Sequence, residues 1–146
     1  MSAASAQLER LYRGLDEISS GAFERKVIEA SAVAVQGMIA REFNDSHAPG
    51  GKAWKPLKRP RPRGRPNRGG PLFDSGALKA EATQRPTFTA DGFYIVVNHP
   101  GATTHQYGDA SRNIPPRPYF PTGTLPPQWT RVLTIVSTAE LRKIFP

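Results

Sequence analysis

Residues 45–70 contain five prolines and five glycines, and no helical or alternating apolar period survives there. Proline fixes φ and lacks a backbone donor, and glycine gives up conformational freedom when ordered. Such a stretch does not read as a helix. It must run over the surface as a long exposed loop, and loops of this length in a compact domain are either functional or disordered. At 146 residues the chain reads as one domain, 1–146, carrying this loop at about 45–70.

The loop also holds the charge. Lys52, Lys55, Lys58, Arg59, Arg61, Arg63, Arg65 and Arg68 lie between the acids Asp45 and Asp74 with no acid among them. Taking these eight from the 20 basic residues leaves 12, equal to the 12 acids, so the net charge of +8 sits in one segment. A neutral body with one basic arm is drawn to anionic surfaces, whether nucleic acid, membrane headgroups or an acidic protein face. Eight like charges repel one another until a partner neutralises them, which predicts that residues 52–70 order only on assembly. The absence of cysteine excludes disulfides and thiolate metal sites and fits a reducing compartment. No apolar run is long enough to cross a bilayer, and the opening MSAASAQLERLYRG lacks the pattern of a secretory signal.

Either side of the loop, periodicity returns. Leu8, Leu11, Tyr12, Leu15 and Ile18 predict an amphipathic helix over about 4–18. Ser20 is a candidate N-cap for a longer helix to about Phe43. There Phe23, Val27, Ala34 and Met38 form one stripe, with Ile28, Val35, Ile39 and Phe43 beside it. A short helix over 75–82 follows, capped by Asp74 or Ser75. TFTADGFYIVV reads as a hairpin turning at Asp91-Gly92. AWKPL and PRPYF are the other strand candidates. Prolines hold IPPRPYFPTGTLPP extended. A last helix starts near Pro127 with Trp129, Val132, Leu133 and Val136 on its apolar face, and the capping-box form of Ser137 to Glu140 allows a break there. The class is α+β: N-terminal amphipathic helices packed on a small antiparallel hairpin, a long basic loop and a C-terminal helix. Few strands are available, so covering helices or a neighbouring subunit must complete the sheet.

Signals for catalysis are weak. His99, His105 and Asp109 lie close in sequence but match no metal-ligand spacing, and read as hydrogen-bonded loop residues. GGK at 50–52 is not a phosphate loop, because Ala53 stands where Ser or Thr is needed. There is no nucleophile elbow. The chain is read as a non-enzyme without metal or cofactor. Pro62-Arg63-Gly64-Arg65-Pro66 resembles the core of the AT-hook, whose arginines lie along a narrow minor groove. The same residues also fit a proline-stiffened basic loop that touches phosphates or acidic protein without sequence preference, and that reading is taken. Trp54, among lysines, either stacks on a base or anchors the loop root, and anchoring is taken. Trp129 reads as core or subunit interface.

GGKAWKPLK (50–58), PLFDSGALKA (71–80), DGFYIVV (91–97), HQYG (105–108) and IPPRPYFP (114–121), in this order, resemble the phage virion morphogenesis or tail completion family. The resemblance covers about residues 20–125. Ser75-Gly76 replaces the Thr-Gly of relatives, NHPGATTHQYG lacks their aromatic-alanine pair, and the segment after Trp54 is richer in arginine and proline. The resemblance implies a structural virion protein at the head–tail junction, assembled in the bacterial cytoplasm. It would be a homo-oligomeric ring, six-fold, that completes the tail and meets the tail tube, the head connector and DNA in the channel. Within it, Leu72 and Phe73 would dock the loop's exit, and Gly76 would permit a tight helix start. His105, Gln106, Tyr107 and Gly108 would make a short turn whose side chains fix the extended segment, and Arg117 would hold an ion pair within the fold or across subunits. The alternative is a sequence-tolerant nucleic-acid-binding protein using the basic 52–68 arm.

Overall fold

The computed structural model describes residues 3–58, 71–72 and 74–145. Helix α1 runs Ala3–Ser19, α2 Ala22–Asp45, α3 Ala77–Ala82, α4 Ala102–Tyr107 and α5 Pro127–Ile144; strands β1 Thr87–Phe88 and β2 Phe93–Tyr94 pair antiparallel. The class is α+β, with the helices dominant.

The body is α2 packed along α5, with α3 on α2. Met38, Ile39 and Phe43 on α2 meet Trp129 on α5 and Leu78 and Ala82 on α3, joined by Trp54, Leu72, Ala102 and Tyr119 from the connecting segments. The core thus sits at the C-terminal half of α2. Phe43 is its centre: Trp54 meets it edge-on at 5.7 Å and Tyr119 lies tilted at 5.3 Å, arrangements that aromatic quadrupoles favour.

Several elements start differently from their sequence signals. Ser20 does not cap α2; its hydroxyl donates back to the Glu17 carbonyl, and Gly21 in the left-handed region turns the chain. Glycine makes that conformation cheap, so the turn needs no side-chain cap. Helix α3 starts after Gly76, also left-handed at φ 82°, and the Ser75 hydroxyl accepts from the Ala77 amide at 3.3 Å. Helix α5 begins with Pro127 in its first turn, where a missing N–H costs nothing. It does not break at Ser137, whose hydroxyl donates to the Leu133 carbonyl within the helix.

The hairpin is shorter than its sequence suggests. Thr87 faces Tyr94 and Phe88 faces Phe93, and the Thr89 amide donates to the Gly92 carbonyl at 2.9 Å. Ala90 and Asp91 therefore occupy the turn, one residue earlier than Asp91-Gly92, and Gly92 does not adopt positive φ. AWKPL contributes a single bridge, His47 to Ala53, and PRPYF runs extended outside any ladder. Beyond β2, Ile95 and Val97 pack against the core.

Helix α1 departs furthest from expectation. Its apolar stripe does not pack on the hairpin: Leu8, Leu11, Tyr12, Leu15 and Ile18 are all exposed.

Candidate docking site at the root of the basic segment

The first half of the basic loop is built and held. Pro49 and Gly50 turn the chain so that the Gly51 amide donates to the Ala48 carbonyl, the Ala48 amide to Lys52 and the Trp54 amide to Ser46. Gln128, on α5, donates its side-chain amide to the Pro49 carbonyl. This turn delivers Trp54 inward, 6% exposed, where its indole N–H donates to the Pro118 carbonyl at 2.9 Å. A buried indole with its one donor satisfied is a structural post.

The extended segment that receives Trp54 is fixed by α4. Gln106 is buried, and its Oε1 accepts from the Tyr119 and Phe120 amides while its Nε2 donates to the Phe120 carbonyl. One side-chain amide thus replaces a piece of missing sheet ladder. The His105 backbone carbonyl accepts from the Arg117 amide at 2.7 Å. Residues 105–107, expected with Gly108 as a short turn, are the last residues of α4, and Gly108 ends it. Gly108 has φ 80°, and a Cβ there would lie 2.8 Å from Pro116 N and 2.9 Å from the Ile114 carbonyl oxygen. Only glycine lets the chain double back so closely. Tyr119 donates its hydroxyl to the Ala102 carbonyl, and burial pushes that phenol up to about 12.

Arg117 closes the arrangement. It is 5% exposed, donates Nε to the Lys55 carbonyl at 2.9 Å and Nη2 to the Pro56 carbonyl at 3.3 Å, and burial lowers its pKa. Its hydrogen-bond partners within the fold are backbone carbonyls, and an ion pair across subunits lies beyond the single chain. The guanidinium fork ties the stretch carrying Lys55 to the segment fixed by Gln106. Lys52, Lys55 and Lys58 then project into solvent. Lys52 and Lys55 edge a groove of about 460 Å³ floored by Trp54, Pro116 and Pro118 with Tyr107 at its rim. Lys55 and Lys58 edge a second of about 420 Å³ beside Ile114 and Pro115.

Leu57 and Leu72 line one cavity of about 240 Å³ together with His105 and Arg117. The basic segment therefore leaves and rejoins the body at one place. Leu72 is buried, with φ 72°. Burial, then the Arg117 charge, holds the His105 pKa below its ordinary value, and its Nδ1 is buried without a hydrogen bond. Residues 52–58, expected to order only on assembly, are held within the single chain by the Ala48, Trp54 and Arg117 hydrogen bonds; Arg59, Arg61, Arg63, Arg65, Arg68 and Phe73 lie outside the described residues, as do the AT-hook-like core and the rest of that expectation.

Trp129 belongs to a different part of the core, where its indole donates to Glu42 Oε1 at 3.2 Å. His47 sits against the other Glu42 oxygen as an ion-pair partner, without the alignment of a hydrogen bond. His99 Nδ1 accepts from the Gly101 amide, and Asp109 is paired with Arg112 at 2.6 Å. No group of three His, Cys, Asp or Glu that could hold a metal occurs among the described residues, and no described helix is long and apolar enough to cross a membrane. Sequence reasoning missed Phe43, Tyr119 and Gln128 as parts of this site. The signal for Tyr119 was its place among prolines, where a large aromatic has to find a pocket.

The fold is thus a helical α+β body that clamps both ends of one basic segment. The phage virion morphogenesis family model matches residues 6–137, and the chain belongs to that family. Its role is that of a structural component of phage virions. No curated protein and no solved structure matches it significantly.

Proposed function

We propose that this protein completes the phage tail and joins it to the head connector, as one subunit of a six-fold homo-oligomeric ring at the head–tail junction. In this reading it acts through interlocking surfaces, without catalysis. The observation that carries it is the double clamp: Leu57 and Leu72 line the same cavity while Trp54 and Arg117 hold the entering stretch. A rigidly rooted basic segment suits a contact with an acidic neighbour in the tail or connector, or with the phosphates of DNA in the channel.

Electron microscopy of particles assembled with Arg61, Arg63, Arg65 and Arg68 all changed to alanine tests this. The expected result is full heads and complete tails accumulating unjoined while the subunit still folds. Normally joined, infectious particles would overturn the junction role of the segment. The second reading, a nucleic-acid-binding protein using the 52–68 arm, is favoured by the exposure of Lys52, Lys55 and Lys58 along one edge. It predicts that the free subunit binds duplex tightly and that particle joining is unaffected.

A further inference from the structure

Helix α1 turns its polar side to its own chain. Arg10, Arg13, Gly14 and Glu17 line a cleft against Lys143 and Ile144 at the end of α5. Gly14 is buried there, so close that a Cβ would meet Ile144 Cγ2 at 2.3 Å. The apolar side is left in solvent, with Leu8, Leu11, Tyr12, Leu15 and Ile18 each between 44% and 64% exposed. Leu8, Leu11, Leu15 and Ile18 follow at spacings of three, four and three residues. That is the 3.5-residue period by which one helix packs along another.

We propose that this face of α1 is a self-association surface that pairs with α1 of a second copy of the chain. With Leu8 and Leu15 at the a positions and Leu11 and Ile18 at d, the flanking e and g positions are Gln7, Tyr12, Gly14 and Ser19. None is charged, so the seam meets its own copy without like-charge repulsion. Glu9, Arg10, Arg13, Asp16 and Glu17 all fall at the outer b, c and f positions. Five half-exposed apolar side chains amount to roughly 500 Å², the upper range of the largest patch on a monomer. Two such faces together bury about 1,000 Å², the threshold for a specific interface. A seam paired with itself is a two-fold contact, so it links copies two by two and is additional to whatever contacts close a ring. It shares with the ring reading only the need for more than one copy.

The test uses the full chain. Sedimentation of the wild type at tens of micromolar should give at least twice the monomer mass, and Leu11→Glu with Leu15→Glu should weaken association tenfold or more at unchanged helical circular dichroism. Because the chain has no cysteine, Leu11→Cys and Leu15→Cys variants mixed and oxidised should yield disulfide dimers for either helix orientation, whereas Glu9→Cys mixed with Arg13→Cys should not. A monomeric wild type, or equal crosslinking from both mixtures, overturns the proposal. A charge variant that keeps its full mass also overturns it, while leaving a ring built on other surfaces intact. Retained mass together with loss from particles would assign the face to a different virion component, again against the proposal.

Discussion

Glu42 is a carboxylate where a charge is poorly placed. It is 3% exposed, and burial raises its pKa above the ordinary 4.5 despite the Trp129 indole and the His47 ring beside it. A folded-state pKa above the unfolded one means that the fold binds the proton more tightly. The site then costs nothing below about pH 4.5 and loses stability as pH rises through the folded value. Glu42→Gln removes that cost and keeps an acceptor for Trp129. It should be at least as stable as the parent at pH 7, with the advantage vanishing towards pH 4, as read by chemical denaturation across that range. Glu42→Ala orphans the buried indole N–H and should cost about 1–3 kcal/mol at neutral pH. Nothing in the sequence marks Glu42: it stands 87 residues from Trp129, and a helical pattern does not tell which acid faces inward.

At the scale of elements, the long helices were legible because apolar spacing of three and four residues is a strong local signal. Pro127 marked the start of α5 for an equally local reason. Element ends were less legible. Ser20 and the Ser137 to Glu140 stretch carry capping chemistry, yet a left-handed glycine turns the chain at one and the helix runs through the other. Periodicity also gave the face of α1 without giving its partner, since a stripe looks the same whether its own chain or another covers it. The Gln106 clamp was legible only through the family resemblance, because one amide serving two backbone donors and an acceptor leaves no periodic pattern. Gly108 shows how much that joint depends on backbone proximity. Gly108→Ala forces a side chain into a glycine-only conformation against Pro116 and Ile114, and should cost at least about 2 kcal/mol. Gly123 has a similar φ of 81° but open space around it, so Gly123→Ala should cost only about 1 kcal/mol. Thermal melting of the two variants measures the difference, and equal losses would show that the Gly108 contact relaxes freely.

For the whole molecule, the basic segment makes the net charge of +8 a local property. If phosphates are its partner, replacing Arg61, Arg63, Arg65 and Arg68 together should lower the slope of log affinity against log salt by about one per lost contact. A·T-rich and G·C-rich duplexes should be affected alike. Fluorescence anisotropy on both duplexes between low and moderate salt reads the slope. An A·T preference abolished by Arg63→Ala alone would instead assign minor-groove reading to that arginine.

The double clamp also sets a length. Residues 58–71 number 14, and their flanks Leu57 and Leu72 line one cavity. A chain spans at most about 3.5 Å per residue, so a segment held at both feet can reach no more than roughly 25 Å from the body. Any partner of the segment would therefore have to be brought within that distance by other surfaces. Its cargo of arginines can be exchanged or lengthened between the feet while Trp54, Arg117 and the core beneath them stay as they are.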